Sequence, residues 1–297
     1  MKPTKVIADK VRGYKLKDTV HRYGEIQTIL YALGIGTSQD PMNLKELDFT
    51  YERAENFKVM PTFGVTIGKM DDVFEGLMSC PGLPEFNPMM LLHGEQKLEI
   101  FNPYPKAQTV TLKSEFIDVA DKGKGALVSL GSTLIDEKNL PICRNTIRLY
   151  IRGIGDFGDK GLTRETYPSI PKTAPEKVSI DSTSQNQAIL YRLAGDLNPL
   201  HISPDMAALG GFDRPILHGL CFFGYAAKAV LKEFLDYDVG RFKSISARFT
   251  SHVFPGETLV TEMWAYPTGV IFQQKTKERG KICSQGYVEF NQAAPKL

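Results

Sequence analysis

Cysteine is scarce in this chain and poorly placed for cross-linking. The four cysteines, Cys80, Cys143, Cys221 and Cys283, form no C-x-x-C pair, and no Cys/His pair has zinc-finger spacing. Neither a structural zinc site nor a disulfide framework is expected, and all four are read as reduced, buried thiols. Long apolar runs are missing too: none approaches the roughly 18–20 residues that cross a bilayer, and no charged-then-apolar leader opens the chain. Charge of one sign is also absent. Thirty-six basic residues against thirty-four acidic ones leave +2, no electrostatic reason to expect nucleic acid. These absences lead to the expectation of a soluble intracellular protein with neither a membrane nor a nucleic-acid partner.

What is present suits a globular chain. At 297 residues there is length for two cores, and 42% hydrophobic with 24% charged residues excludes disordered and collagen-like classes. Composition shifts clearly once, at Gly153–Pro175, where glycine, proline and charge replace strand-like sequence. Before it, NTIRLYIR (Asn145–Arg152) alternates as a strand does; after it, order resumes at Val178–Ile180. The expected division is a unit over 1–155, a linker over 156–175 and a second unit over 176–297. Two landmarks recur in the same order. Ile29-Leu30-Tyr31-Ala32-Leu33 is echoed by Ile189-Leu190-Tyr191-Arg192-Leu193, and Leu92-His93-Gly94 by Leu217-His218-Gly219, which suggests duplication of one folding unit.

The halves differ after the second landmark. LCFFGYAAKAVLKEFL follows Gly219 with apolar residues spaced for a largely buried helix of about four turns. EQKLEIFNP follows Gly94, and Pro103 and Pro105 stop any helix there. A first unit lacking its central helix should hold a cavity for a bulky ligand. Strand signals at Thr109–Leu112, Gly125–Leu130, Ile245–Phe249, Thr258–Trp264 and Ile271–Lys275 complete an α+β class with antiparallel sheet.

The densest chemistry lies in YRLAGDLNPLH (Tyr191–His201). Ser184 and Gln187 have the spacing of a capping box, and Gly195 is placed to end the helix they open. Pro199 then forces Asn198 out of helical geometry, so Asp196, Asn198 and His201 crowd into one loop. A second helix follows from Ser203-Pro204 to Gly210-Gly211. A carboxylate beside an imidazole on rigid supports is what acid–base work requires; the plain alternative is that Asp196 and Asn198 only cap the turn. Downstream, the Gly219 amide heads the long helix, where an unpaired N–H at the positive dipole end can hold a developing oxyanion. His218 reads as structural. Gly153–Gly158 matches G-x-G-x-x-G, but the proline-broken DKGLTRETYPSIPK after it cannot supply the helix a dinucleotide needs.

The stretch from Tyr191 to Val230 resembles the hydratase 2 motif of (R)-specific 2-enoyl-CoA hydratases, within the MaoC-like group. MPTFGV (Met60–Val65), LLHGEQKLE (Leu91–Glu99), ICRN (Ile142–Asn145), RFKSISARF and VFPGETL resemble the same family, so the whole chain is covered. The resemblance implies a double hot-dog fold, two sheet-wrapped-helix units with the first helix reduced. It implies reversible hydration of a trans-2-enoyl-CoA to the (R)-3-hydroxyacyl-CoA in fatty-acid β-oxidation, with no cofactor and no metal. By the same resemblance Asp196 and His201 activate water, Asn198 orients His201, and the Gly219 amide receives the thioester oxygen. Acyl-CoA contacts are expected at His93, Gly94, Lys122, Leu197, Pro199, Leu200 and Phe249, while Glu52 is taken as structural. A homodimer is implied. The ending Pro295-Lys296-Leu297 is like the Ser-Lys-Leu peroxisomal address, with a cytoplasmic location as the fallback. The rival readings are a hot-dog thioesterase, an acyl-carrier dehydratase and a non-catalytic acyl-CoA-binding scaffold.

Overall fold

A computed structural model describes residues 2–68, 70–163 and 166–291. In chain order its helices are α1 (Ala8–Val11), α2 (Glu25–Gly34), α3 (Leu44–Leu47), α4 (Met70–Ser79), α5 (Gln187–Tyr191), α6 (Pro204–Leu209) and α7 (Gly219–Leu235). The strands are β1 (Thr19–Tyr23), β2 (Leu91–Ile100), β3 (Gln108–Asp121), β4 (Gly125–Asp136), β5 (Pro141–Arg152), β6 (Lys177–Ser182), β7 (Phe242–Phe249), β8 (Thr258–Tyr266), β9 (Gly269–Thr276) and β10 (Ile282–Phe290).

All ten strands form one sheet in the order β1-β3-β4-β5-β2-β7-β10-β9-β8-β6. The order repeats: β1 to β5 and β6 to β10 adopt the same arrangement, mirrored about a central seam. At that seam β2 pairs antiparallel with β7, from Glu95 opposite Arg248 to Glu99 opposite Ser244. The architecture is the expected double hot-dog.

The repeat is real, but one of its landmarks is not. Tyr31 and Tyr191 occupy equivalent helices, α2 and α5, and their rings lie 6.2 Å apart. Leu217-His218-Gly219 leads into α7, whereas Leu92-His93-Gly94 lies inside β2, where the register slips between His93 and Glu95. The reduced central helix of the first half therefore sits before β2, not after Gly94. It consists of a 3-10 turn, Pro61–Thr66, and the ten-residue α4.

Helix α7 is buried almost all round because the second half-sheet covers one side and the 3-10 turn and α2 the other. Phe222, Phe223, Tyr225, Val230 and Leu231 are each 2% exposed or less, and such side chains contribute about 1.5–3 kcal/mol each. Gly224 is needed there: a Cβ would stand 2.4 Å from Ile35 Cγ2. An ion pair enters this core. Lys228 Nζ donates to Asp181 Oδ1 at 2.8 Å and to the Gly36 carbonyl at 2.7 Å, which ties α7 to β6 and to the end of α2.

The expected linker carries no strand or α-helix among its described residues, yet it is fastened to the sheet. Arg12 bridges Asp118 and Asp159, and Trp264 Nε1 donates to the Thr173 carbonyl. The G-x-G-x-x-G segment does cradle an anion, but an internal one. The amides of Asp156, Phe157 and Gly158 donate to the Asp121 carboxylate and hold its pKa below the usual range.

Breaking one partner of a buried ion pair leaves an uncompensated charge. Lys228→Ala is expected to cost about 3–5 kcal/mol in urea unfolding, and the double replacement Lys228→Met/Asp181→Leu to recover most of it. A single variant as stable as the parent would overturn the account of the pair.

Candidate active site

The loop between α5 and α6 is built by short-range hydrogen bonds. The Ser184–Gln187 pair forms only the returning half of a capping box: Gln187 Oε1 accepts the Ser184 amide, while its Nε2 donates to the Gly34 carbonyl. Helix α5 starts at Gln187 and runs through a 3-10 turn to Gly195. Gly195 has φ 138°, and a Cβ there would stand 2.8 Å from the Thr66 carbonyl. Only glycine meets both conditions, so the first half's 3-10 turn packs directly on the loop.

Beyond Gly195, Asp196 Oδ1 accepts the Asn198 amide at 3.2 Å, and Asn198 Oδ1 accepts the Leu200 amide at 3.0 Å. Asn198 thereby caps the 3-10 turn Pro199–His201. Its expected role of orienting the His201 ring falls elsewhere. His201 Nδ1 lies 2.8 Å from the Ile216 carbonyl, and the Asn198 carbonyl oxygen of the side chain is already committed to the turn.

Those carbonyls settle the tautomers, because a carbonyl only accepts. His201 carries its proton on Nδ1 and keeps a lone pair on Nε2. His218 donates from Nε2 to the Asp196 main-chain carbonyl at 3.2 Å and keeps its lone pair on Nδ1. The two rings stack with centroids 3.7 Å apart at 29°. The Asp196 carboxylate and a nitrogen of each ring lie within 4.8 Å of one another. Burial lowers the pKa of His201, against the raising effects of the Asp196 charge and the bond to Ile216. Burial also pushes His218 well below 6.5, and charge on His201 pushes it further. Both rings are thus held neutral, and His201 is competent as a base at neutral pH.

These three groups also form the one candidate metal-ligand set among the described residues.

Asp196 stands on the wall of an open cavity. Gly195, Tyr191 and Leu220 share that wall, Thr66 and Ile67 form another, and Gln96 and Asn145 project from the first half-sheet. The space lies where the first half lacks a full central helix, as the sequence led us to expect. Gln96 Nε2 donates to Asn145 Oδ1 at 2.8 Å, and Asn145 Nδ2 to the Gly64 carbonyl at 3.0 Å, locking the 3-10 turn against the sheet.

Gly219 is the first residue of α7, so its amide has no intrahelical acceptor. A Cβ there would meet the Phe249 ring at 3.6 Å, and Phe249 in turn lies 5.2 Å from the His93 ring. Gly219, Phe249 and His93 are therefore one contiguous group, with Gly94 at the adjacent irregularity of β2. Burial pushes the pKa of His93 down to about 4. Leu200 packs toward Gly210, while Leu197 is 61% exposed and Pro199 is exposed, so these two face outward. Lys122 sits on the exposed β3–β4 turn. Sequence reasoning missed Ile216 as the orienting acceptor, Gln96 and Asn145 as cavity lining, and the engagement of His218. The ICRN and HGEQ segments already contained the polar strand positions that could have marked the lining.

Comparison with known proteins agrees across the chain. Residues 21–153 match the MFE-2 hydratase 2 N-terminal domain, and residues 167–286 match the MaoC like domain. A protein of Dictyostelium discoideum named probable enoyl-CoA hydratase 2 is 46% identical over 93% of this chain and 94% of its own length. The mouse peroxisomal multifunctional enzyme type 2 is 43% identical over 93% of this chain, which spans only 38% of that longer enzyme. Among solved structures, the MaoC-like dehydratase from Phytophthora capsici superposes with a TM-score of 0.88 at 37% identity, covering 98% of this chain and all of that one.

The pH titration of the ring protons by NMR checks the electrostatics. His93 is expected to titrate near pH 4 and His201 below pH 6.5; a His201 midpoint at or above 6.5 would remove the desolvated base.

Proposed function

Because this chain belongs to the hydratase 2 family, built from MFE-2 hydratase 2 and MaoC-like domains, we propose that it is a lyase adding water reversibly to trans-2-enoyl-CoA thioesters to give (R)-3-hydroxyacyl-CoA. The observation that carries this reading is the approach of the Asp196 carboxylate and a His201 nitrogen to within 4.8 Å, with Asp196 on the cavity wall.

The chemistry follows from the tautomers. A water held between the Asp196 carboxylate and His201 Nε2 loses a proton to Nε2 as its oxygen attacks C3. The resulting imidazolium is offset by the nearby carboxylate. Electron density moves to the thioester oxygen, which the Gly219 amide receives at the positive end of α7. A proton then returns from the acid–base pair to the α-carbon, so a full cycle adds one water and leaves the site's charge unchanged. Positioned acid–base groups contribute about 10²–10⁴ in rate, and an oxyanion donor about 10²–10³.

In this reading the acyl chain enters the cavity of the first half. His93, Gly94 and Phe249 flank the thioester end, and Leu197, Pro199, Leu200 and Lys122 lie along the approach of the CoA moiety. Units 1–155 and 176–297, joined over 156–175, would then divide the labour, the first housing the acyl chain and the second the acid–base loop. A role in fatty-acid β-oxidation and a peroxisomal location are supported by relatives named for that compartment, such as the mouse enzyme. Pro295-Lys296-Leu297 lies outside the described residues. No helix among the described residues is long and apolar enough to cross a membrane. A homodimer is proposed on the same family basis.

Four measurements test the reading. Adding protein to crotonyl-CoA and to a longer 2-enoyl-CoA should lower the enoyl absorbance to an equilibrium plateau and yield (R) product; (S) product, or free CoA in place of it, would overturn hydration of this class. Asp196→Asn and His201→Gln should each lower kcat by about 10²–10⁴ with the fold retained. Gly219→Ala makes only an ordinary contact with Phe249, so it should fold normally yet lose about 10²-fold in kcat/KM through displaced substrate. Since the base must be neutral and its pKa is lowered, the acid limb of kcat/KM should fall below pH 6.5.

A further inference from the structure

His218 touches both His201 and the main chain of Asp196 without being an obvious reactant. It is 1% exposed, stacks on the His201 ring at 3.7 Å, donates to the Asp196 main-chain carbonyl and lies 4.9 Å from the Tyr191 ring. It is also the N-cap residue of α7, so its own main chain leads directly to the Gly219 amide. Filling space between Tyr191 and His201 would require only an aromatic ring. A ring bearing an N–H aimed at the Asp196 carbonyl does more: one side chain ties the base, the carboxylate-bearing main chain and the oxyanion amide into one body.

We propose that His218 is a positioning residue for the hydration reaction, a neutral imidazole that sets the plane of the His201 ring and anchors the main chain of Asp196. This rests on the hydratase reading of the same site. His218 acts through its neighbours, and its buried Nδ1 has no hydrogen-bond partner among the described residues. The groups facing it are His201 from the 3-10 turn, Asp196 from the loop, and Tyr191 and Arg192 from the end of α5. Arg192 and the positive end of the α7 dipole both oppose charge on His218, as does any charge on His201. The stacked pair therefore accepts a single proton, and it resides on His201. When His201 takes a proton from water, it does so over an uncharged ring and not beside a competing cation.

Two substitutions separate the two contacts. His218→Phe keeps the stack and loses the donor to Asp196. His218→Asn keeps a short donor, loses the ring and admits water beneath His201. Each should lower kcat with crotonyl-CoA by about 10–10²-fold while KM changes little. The acid limb should stay in place for Phe and move up toward pH 6.5 for Asn, where the desolvation of His201 is relieved. A space-filling role predicts instead that Phe behaves as the parent, and that result would overturn the proposal. So would a rise in KM at unchanged kcat, which would make His218 a substrate contact. NMR titration of the ligand-free parent decides the matter independently of any assay: His201 should titrate while His218 stays neutral. His218 taking a proton at or above the pH where His201 does would overturn the proposal even if the Asn variant fails to fold. A parent protein that hydrates no enoyl thioester would sink the functional reading alone and leave the titration result to stand.

Discussion

A half-sheet that curls around a helix must have its inner face filled, and the two halves of this protein meet that demand differently. In the second half the seventeen-residue α7 fills the sheet with Phe223, Val230 and Leu231. In the first half the same place between β1 and β2 holds the 3-10 turn Pro61–Thr66 and the shorter α4. Part of the inner face is left open, with Gln96 and Asn145 projecting into it, and the cavity beside Asp196 is the result. Duplication supplied two equal wrappers; shortening one filling supplied the space for a ligand.

The remaining site geometry depends on backbone groups more than on side-chain partners. Ile216 and Asp196 each present a main-chain carbonyl to an imidazole, and each carbonyl fixes which ring nitrogen bears the proton. Thr66, again through its main chain, leaves room only for glycine at 195. Such acceptors are set by fold, cannot titrate and move little, which suits a site whose histidines must remain neutral and ready.

The segments flanking the site are likewise held by paired charge. Lys228 joins α7 to β6 and α2 within the core, and Arg12 fastens the chain between the halves to β3. The connecting stretch is accordingly no free tether. Its glycine-rich part is wrapped about Asp121, and the same amides that would bind a phosphate at a helix start are here spent on a carboxylate of the protein itself.

By itself the sequence determined the α+β class, the buried length of α7, the turn that crowds Asp196, Asn198 and His201 together, and the Ser203 cap of α6. Each of these is a local matter, decided by the period of apolar residues, by proline and glycine, or by a side chain reaching its own backbone two or three positions on. It misjudged the Leu92-His93-Gly94 landmark because three residues do not say whether they open a helix or run in a strand. β2 is a strand because β5 and β7, about fifty and a hundred and fifty positions away, pair with it. Only the tertiary structure decided that Ile216 and not Asn198 orients His201, that His218 lies beneath it, and that Gln96 and Asn145 line the cavity. Those outcomes depend on which distant carbonyls and faces are brought within about 3 Å, a range over which hydrogen bonds and desolvation act but which no sequence spacing encodes.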